Sequence, residues 1–142
     1  MAFQIKNGVL TKYTEEPGIT DVVIPDGVTG IWNFAFQGCK RLTGVTIPES
    51  VTSIGGGAFK GCVSLTSVAI PEGIASIVDK TFSGCESLTS VTIPESVTKI
   101  RDYAFSDCKS LTSVTIPESV TSIGGGAFKG CVSLTSVAIP EG

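Results

Sequence analysis

The chain has 142 residues, 42% hydrophobic and 16% charged, which excludes an intrinsically disordered polymer and fits one domain with a sizeable core. Its net charge of −3 supplies no electrostatic drive toward nucleic acid or anionic lipid, so neither is expected as a partner. Histidine is absent, which removes the commonest general base and the commonest metal ligand together.

The opening Met1-Ala2-Phe3-Gln4-Ile5-Lys6 lacks the long apolar core of a secretory leader. No apolar run approaches the ~20 residues that span a bilayer, so membrane insertion is not expected. Asn7-Gly8 lies between Phe3-Gln4-Ile5-Lys6 and Val9-Leu10-Thr11-Lys12-Tyr13, a strong signal for a tight β-hairpin. Glu15-Glu16-Pro17-Gly18 then turns the chain toward Val22-Val23-Ile24, the first strand of the solenoid. Residues 1–22 are read as a hairpin cap on the first coil. Trp32 and Phe34, which have no aromatic counterparts at most later units, are expected to help seal that end.

From residue 23 onward the sequence is periodic. Prolines fall at 25, 48, 71, 94, 117 and 140, every interval being 23. The same step relates Phe36, Phe59, Phe82, Phe105 and Phe128, and likewise Cys39, Cys62, Cys85, Cys108 and Cys131. Leu42, Leu65, Leu88, Leu111 and Leu134 form a further column. Self-similarity at one fixed period is the mark of a solenoid. Five units (25–47, 48–70, 71–93, 94–116, 117–139) and a partial final one fill residues 23–142, in one domain.

Each unit has a physical reading. In Leu42-Thr43-Gly44-Val45-Thr46-Ile47, Val45 and Ile47 alternate with small polar residues, as in a strand with one buried face. Pro48 ends that strand because it donates no hydrogen bond to a neighbouring ladder. Val51 and Ile54 point inward from a second short extended segment. Apolar residues at 58, 59, 62 and 65 have the three-to-four spacing of a single helical or 3₁₀ turn. Asn33, Asp79 and Asp102 precede that turn and are expected to cap its free N–H groups. Where Gly-Gly-Gly replaces them, at 55–57 and 124–126, a looser turn is expected.

One unit cannot cover its own apolar face. Stacking in register, about 4.8 Å apart, closes a continuous core. The expected fold is therefore a β-rich α/β solenoid, right-handed, with a parallel sheet, short helical or 3₁₀ turns and an N-terminal hairpin cap. No matching cap follows the last strand before Pro140-Glu141-Gly142. The open apolar edge implies either further units or a homodimer through the C-terminal coil. Leu42–Gly73 matches Leu111–Gly142 at every position except Gly44 against Ser113, which points to recent duplication or deliberate construction.

The unit Leu88-Thr89-Ser90-Val91-Thr92-Ile93-Pro94-Glu95-Ser96-Val97-Thr98-Lys99-Ile100, followed by Ala104-Phe105 and Cys108, closely resembles the BspA-like (Treponema-type) leucine-rich repeats. That resemblance covers nearly the whole chain. It implies a leucine-rich repeat array and a bacterial or protist surface or secreted protein that adheres to proteins, matrix or cells. It assigns no site.

The residues support binding better than catalysis. No serine nucleophile has a histidine base, and no phosphate-binding loop is present. The cysteines lack the two-to-four-residue spacing of zinc ligands, and parallel Cβ vectors disfavour disulfides, so they are read as reduced core thiols. Asp26, Glu49, Glu72, Glu95, Glu118 and Glu141 form an acidic column read as a solvated turn edge, with weak cation binding as the alternative. No cofactor is expected. The candidate partner surface is the outer strand face, Thr46, Ser67, Ser90, Thr92, Ser113, Thr115 and Ser136, with Gly44, Ala69 and Ala138 in the same rows. Tyr103 and Arg101 form a fainter contact candidate on the turn side. The expected function is a non-enzymatic protein-binding module, with a self-assembling repeat scaffold as the alternative.

Overall fold

The structure is a computed structural model and describes residues 2–139. Glu141, in the acidic column, and the partial final unit lie outside the described residues.

Each 23-residue period makes one coil with two short strands. The three-residue strands β3 (Asp21–Val23), β5 (Gly44–Thr46), β7 (Ser67–Ala69), β9 (Ser90–Thr92), β11 (Ser113–Thr115) and β13 (Ser136–Ala138) line one side. The two-residue strands β4 (Gly30–Ile31), β6 (Ser53–Ile54), β8 (Ser76–Ile77), β10 (Lys99–Ile100) and β12 (Ser122–Ile123) line another. Pairing within each ladder is parallel with a register of one period, as Ser67 with Ser90 and Ile100 with Ile123 show. The long-strand ladder is interrupted between β9 and β11, which remain adjacent.

The N-terminal hairpin is present as β1 (Phe3–Lys6) and β2 (Val9–Tyr13), joined antiparallel through Asn7 and Gly8, both at positive φ. β2 also pairs in parallel with β4, so it already runs as part of a coil, and β1 closes the edge. Tyr13 sits one period before Phe36 and stacks on it at 5.1 Å. Phe3 packs on Tyr13 at 5.4 Å. The rings continue through Phe36, Phe59, Phe82, Phe105 and Phe128 with centroids 4.9–5.6 Å apart. This spacing is the strand repeat, slightly stretched, and it places an unbroken aromatic ladder in the core.

Phe3 and Tyr13, rather than Trp32 and Phe34, therefore seal the N-terminal end. Trp32 and Phe34 are exposed on the flank of the first full coil. They precede the inward-pointing Ala35 and Phe36, and the backbone there turns their side chains outward.

No helix occurs among the described residues. The expected helical turn is a chain of β-turns, and the hydrogen bonds give the reason. Ala35, Gln37 and Cys39 donate back to Trp32, Phe34 and Phe36 within the coil. The intervening Phe34, Phe36 and Gly38 donate instead to Gly56, Ala58 and Lys60 of the next coil, at 3.0, 2.7 and 2.8 Å. A helix would need every amide to point along its own axis, whereas here alternate amides are committed to the neighbouring coil. The chain manages this by entering the left-handed region at 34, 57, 80, 103 and 126. It does so again at 38, 61, 84, 107 and 130.

Threonine columns add a second set of rungs. Thr43, Thr66, Thr89 and Thr135 each donate both backbone N–H and side-chain hydroxyl to the carbonyl of the residue one period earlier. Backbone carbonyls at the coil corners thereby gain protein partners.

Candidate functional site

The long strands hold Val45, Val68, Val91, Val114 and Val137 toward the core and turn their flanking residues outward. Thr46, Ser67, Ser90, Thr92, Ser113, Thr115 and Ser136 are all exposed on this sheet. Ala69, Ala138 and, at the N-terminal end, Val23 share its rows. The surface is nearly flat, with one shallow groove over β3, β5 and β7. A second lies between β9 and β11, bounded by Ser90, Thr92, Ser113 and Thr115. Its side chains are small, and no charge stands within the rows beyond Asp21.

Asp21 explains why Gly44 interrupts the serine row. The Asp21 carboxylate lies where a Cβ at Gly44 would be, so a larger residue there would have to displace it. Ser113 follows Ser90 instead and has no such neighbour. The single difference between the duplicated segments thus falls at a position with a different cross-coil neighbour.

The thiols are interior. All five cysteines are free and four are fully buried, with Cys131 half-buried. Each of Cys62, Cys85, Cys108 and Cys131 donates its S–H to the carbonyl of Phe36, Phe59, Phe82 or Phe105 in the preceding coil, at 3.1–3.2 Å. Desolvation pushes Cys62 and Cys108 up to about 12 and Cys39 to about 11. Raising the pKa in this way lowers the thiolate fraction on which nucleophilicity depends. The acidic turn residues Asp26, Glu49, Glu72, Glu95 and Glu118 are exposed. Among the described residues no three acidic or thiol side chains gather round one point.

A further surface has richer chemistry, on the flank after the short strands. Asn33 and Asp102 do not cap their own turns. Their Oδ1 atoms accept from Gly56 and Gly125 of the following coil, at 2.8 and 2.9 Å. Phe34 and Tyr103, one residue on, lay their rings where side chains at Gly57 and Gly126 would stand. The Gly-Gly-Gly stretches are therefore not loose turns. Each is a receptor for the amide or carboxylate and the aromatic ring of the coil before it.

The first receptor creates a notch. Gly55 and Gly56 form its floor with Ile54, Asn33 stands on one side, and Ser76, Val78, Asp79 and Arg101 stand on the other. Trp32 and Phe34, the neighbours of Asn33 in sequence, have 59% and 50% of their surface exposed. Aromatic and arginine side chains are the types that anchor protein interfaces, and here they collect on one flank. Arg101 and Tyr103, both exposed, belong to this same flank. Sequence periodicity treats Trp32 as an end seal. Its column, Trp32, Gly55, Val78, Arg101 and Gly124, has no constant apolar character, which is the signal of an outward position.

Known proteins share the architecture. A family model described as the BspA type leucine rich repeat region matches residues 11–135 in six copies. A leucine-rich repeat protein of T. pallidum is 37% identical over 98% of this chain and 69% of its own, with a TM-score of 0.89. One from Bacteroides ovatus is 36% identical over 97% of this chain and 39% of its own, with a TM-score of 0.87. A leucine-rich cell surface protein from Faecalibacterium prausnitzii is 29% identical over 95% of this chain and 52% of its own, with a TM-score of 0.50. No curated protein matches the chain. With the repeat spacing, the parallel register and the family model covering the same coils, the chain belongs to the BspA-type leucine-rich repeat family.

Proposed function

We propose that the chain is a non-enzymatic protein-binding module of a bacterial surface or secreted adhesion protein. The observation that carries this reading is the pair Trp32 and Phe34, large exposed aromatics on either side in sequence of Asn33, which lines the glycine-floored notch. Exposing them opposes the hydrophobic effect, and Trp32 serves no packing role in the core cluster. The resemblance to a protein described as a cell surface protein supports the compartment. The strand face, Thr46 to Ser136, is the alternative docking surface, broad and flat but without an anchor residue.

Biolayer interferometry against immobilised extracellular-matrix proteins tests the proposal. Saturable binding that weakens at least tenfold in Trp32→Ala, with Ser90→Arg/Ser113→Arg unchanged, is the expected result. The reverse pattern moves the contact to the strand face. No saturable binder across the panel refutes the adhesion reading.

A further inference from the structure

One junction between coils is bonded unequally on its different sides. Between the coils 71–93 and 94–116 the turn flank is closed, with Lys80, Phe82 and Gly84 donating to the carbonyls of Asp102, Ala104 and Ser106 at 3.1, 2.8 and 2.8 Å. The Ser83 and Ser106 hydroxyls add a bond of 2.8 Å, and Lys109 Nζ reaches the Glu86 carboxylate at 3.5 Å. The short-strand side is closed too, since β8 pairs with β10, and Thr98 and Arg101 donate to Ala75 and Ile77 at 2.9 and 2.8 Å. The long-strand side is open. β9 and β11 lie side by side without a ladder between them. At the corner leading into these strands, Thr43, Thr66, Thr89 and Thr135 each bond the threonine one period earlier through both N–H and hydroxyl. Thr112 makes neither bond to Thr89.

We infer that this junction is a flexure joint, hinged along its bonded short-strand and turn sides and free to open on the strand face, so that 25–93 and 94–139 move as two bodies. A groove runs along the open side between Ser90, Thr92, Ser113 and Thr115, and it reaches Val91 and Ile93 beneath them. Val91 is accordingly half-buried, whereas Val68 and Val114 in the same column are buried. Strand amides and carbonyls on an exposed face exchange with water, so widening this seam breaks no ladder bond. Neighbouring junctions differ. β7 with β9 and β11 with β13 pair over three residues each, and a bend there has to break those bonds. Even β5 and β7, which keep only the Gly44–Ser67 pair, retain the Thr66 rung.

The joint separates the two candidate surfaces by stiffness. The strand face runs across it, with Thr46, Ser67, Ser90 and Thr92 on one body and Ser113, Thr115 and Ser136 on the other, so bending changes the curvature of that face. The notch also straddles the junction, with Val78 and Asp79 on one body and Arg101 on the other. It lies beside the Ile77–Ile100 pair, on the hinge side, and keeps its shape as the strand face bends. The joint itself is independent of which surface takes a partner.

Residual dipolar couplings of the unaltered chain in a weakly aligning medium, paired with residue-resolved amide exchange, test this. The couplings of 25–93 and of 94–139 should each fit a single alignment tensor, and the two tensors should differ. The Thr112 amide should exchange at least tenfold faster than those of Thr66 and Thr89, while Phe82 on the hinge side stays protected. One tensor fitting 25–139 as well as two would overturn the inference, because the open seam would then be rigid. A division of the couplings at any other coil boundary overturns it too, as does Thr112 exchanging as slowly as Thr66 and Thr89, which would mean that the missing rung is closed in solution.

Discussion

Gly57→Ala puts a methyl group where the ring of Phe34 rests, at a residue with a φ of +62°. The left-handed conformation alone costs an alanine about 1–2 kcal/mol. Phe34 is half-exposed and can swing away, so its displacement adds about 1–2 kcal/mol rather than the larger penalty of an overpacked core. The single substitution should thus destabilise by about 2–4 kcal/mol. Phe34→Ala loses part of one ring's burial, about 1 kcal/mol. In the double variant the clash has gone and only the backbone cost and the lost burial remain, about 2–3 kcal/mol. The two substitutions therefore couple by about 1–2 kcal/mol, well above the scatter expected of independent sites. Urea unfolding followed by circular dichroism on the four proteins of the cycle measures this directly. Additivity within about 0.5 kcal/mol, or a neutral Gly57→Ala, would show that the triple glycine is not a receptor for the ring.

The core and the rim have their own expected responses. Phe82 is fully buried between Phe59 and Phe105, so Phe82→Ala should cost roughly 3–5 kcal/mol by opening a cavity in the ladder, measurable as a lower denaturation midpoint. Glu95 is an exposed turn residue, and Glu95→Ala should change stability by no more than about 0.5 kcal/mol in the same assay. The buried thiols tie stability to alkaline pH. Their folded-state values lie above the ordinary 9.0, with Cys62 and Cys108 at about 12. The folded state thus holds protons that the unfolded chain releases, so stability is full below pH 9 and falls progressively from there toward pH 12. A thermal midpoint independent of pH between 9 and 11 would contradict this. In native protein a thiol reagent should modify Cys131 first, and all five only after denaturation.

The columns of proline, phenylalanine, cysteine and leucine make the coil, its two strands and its core legible, because each column reports a side chain that meets its own copy one period away. Tyr13 is legible in principle, standing 23 residues before Phe36. The hairpin residues around it break the other columns and hide it. Contacts between unlike residues of adjacent coils leave no such trace. Asn33 and Phe34 seated on Gly55-Gly56-Gly57, and Asp21 seated on Gly44, need the three-dimensional offset between coils. The helical turn fails as an expectation for a related reason. Apolar spacing at 58, 59, 62 and 65 describes which side chains point inward but not where the backbone amides go, and alternate amides leave for the next coil. Alternation places the strand-face residues on the surface correctly, whereas the exposure of Trp32 runs against the rule that large aromatics seek the interior.

Whether each coil is locked to the next by the same set of cross-coil bonds is tested most directly by amide hydrogen exchange resolved by residue. Phe36, Phe59, Phe82 and Phe105 donate to carbonyls of the following coil at 2.7–2.9 Å, whereas Phe128 has no such acceptor among the described residues. Strong protection is expected at the first four, with at least hundredfold faster exchange at Phe128. Exchange at Phe59 and Phe82 as fast as at Phe128 would mean that the coils are not stacked in this register.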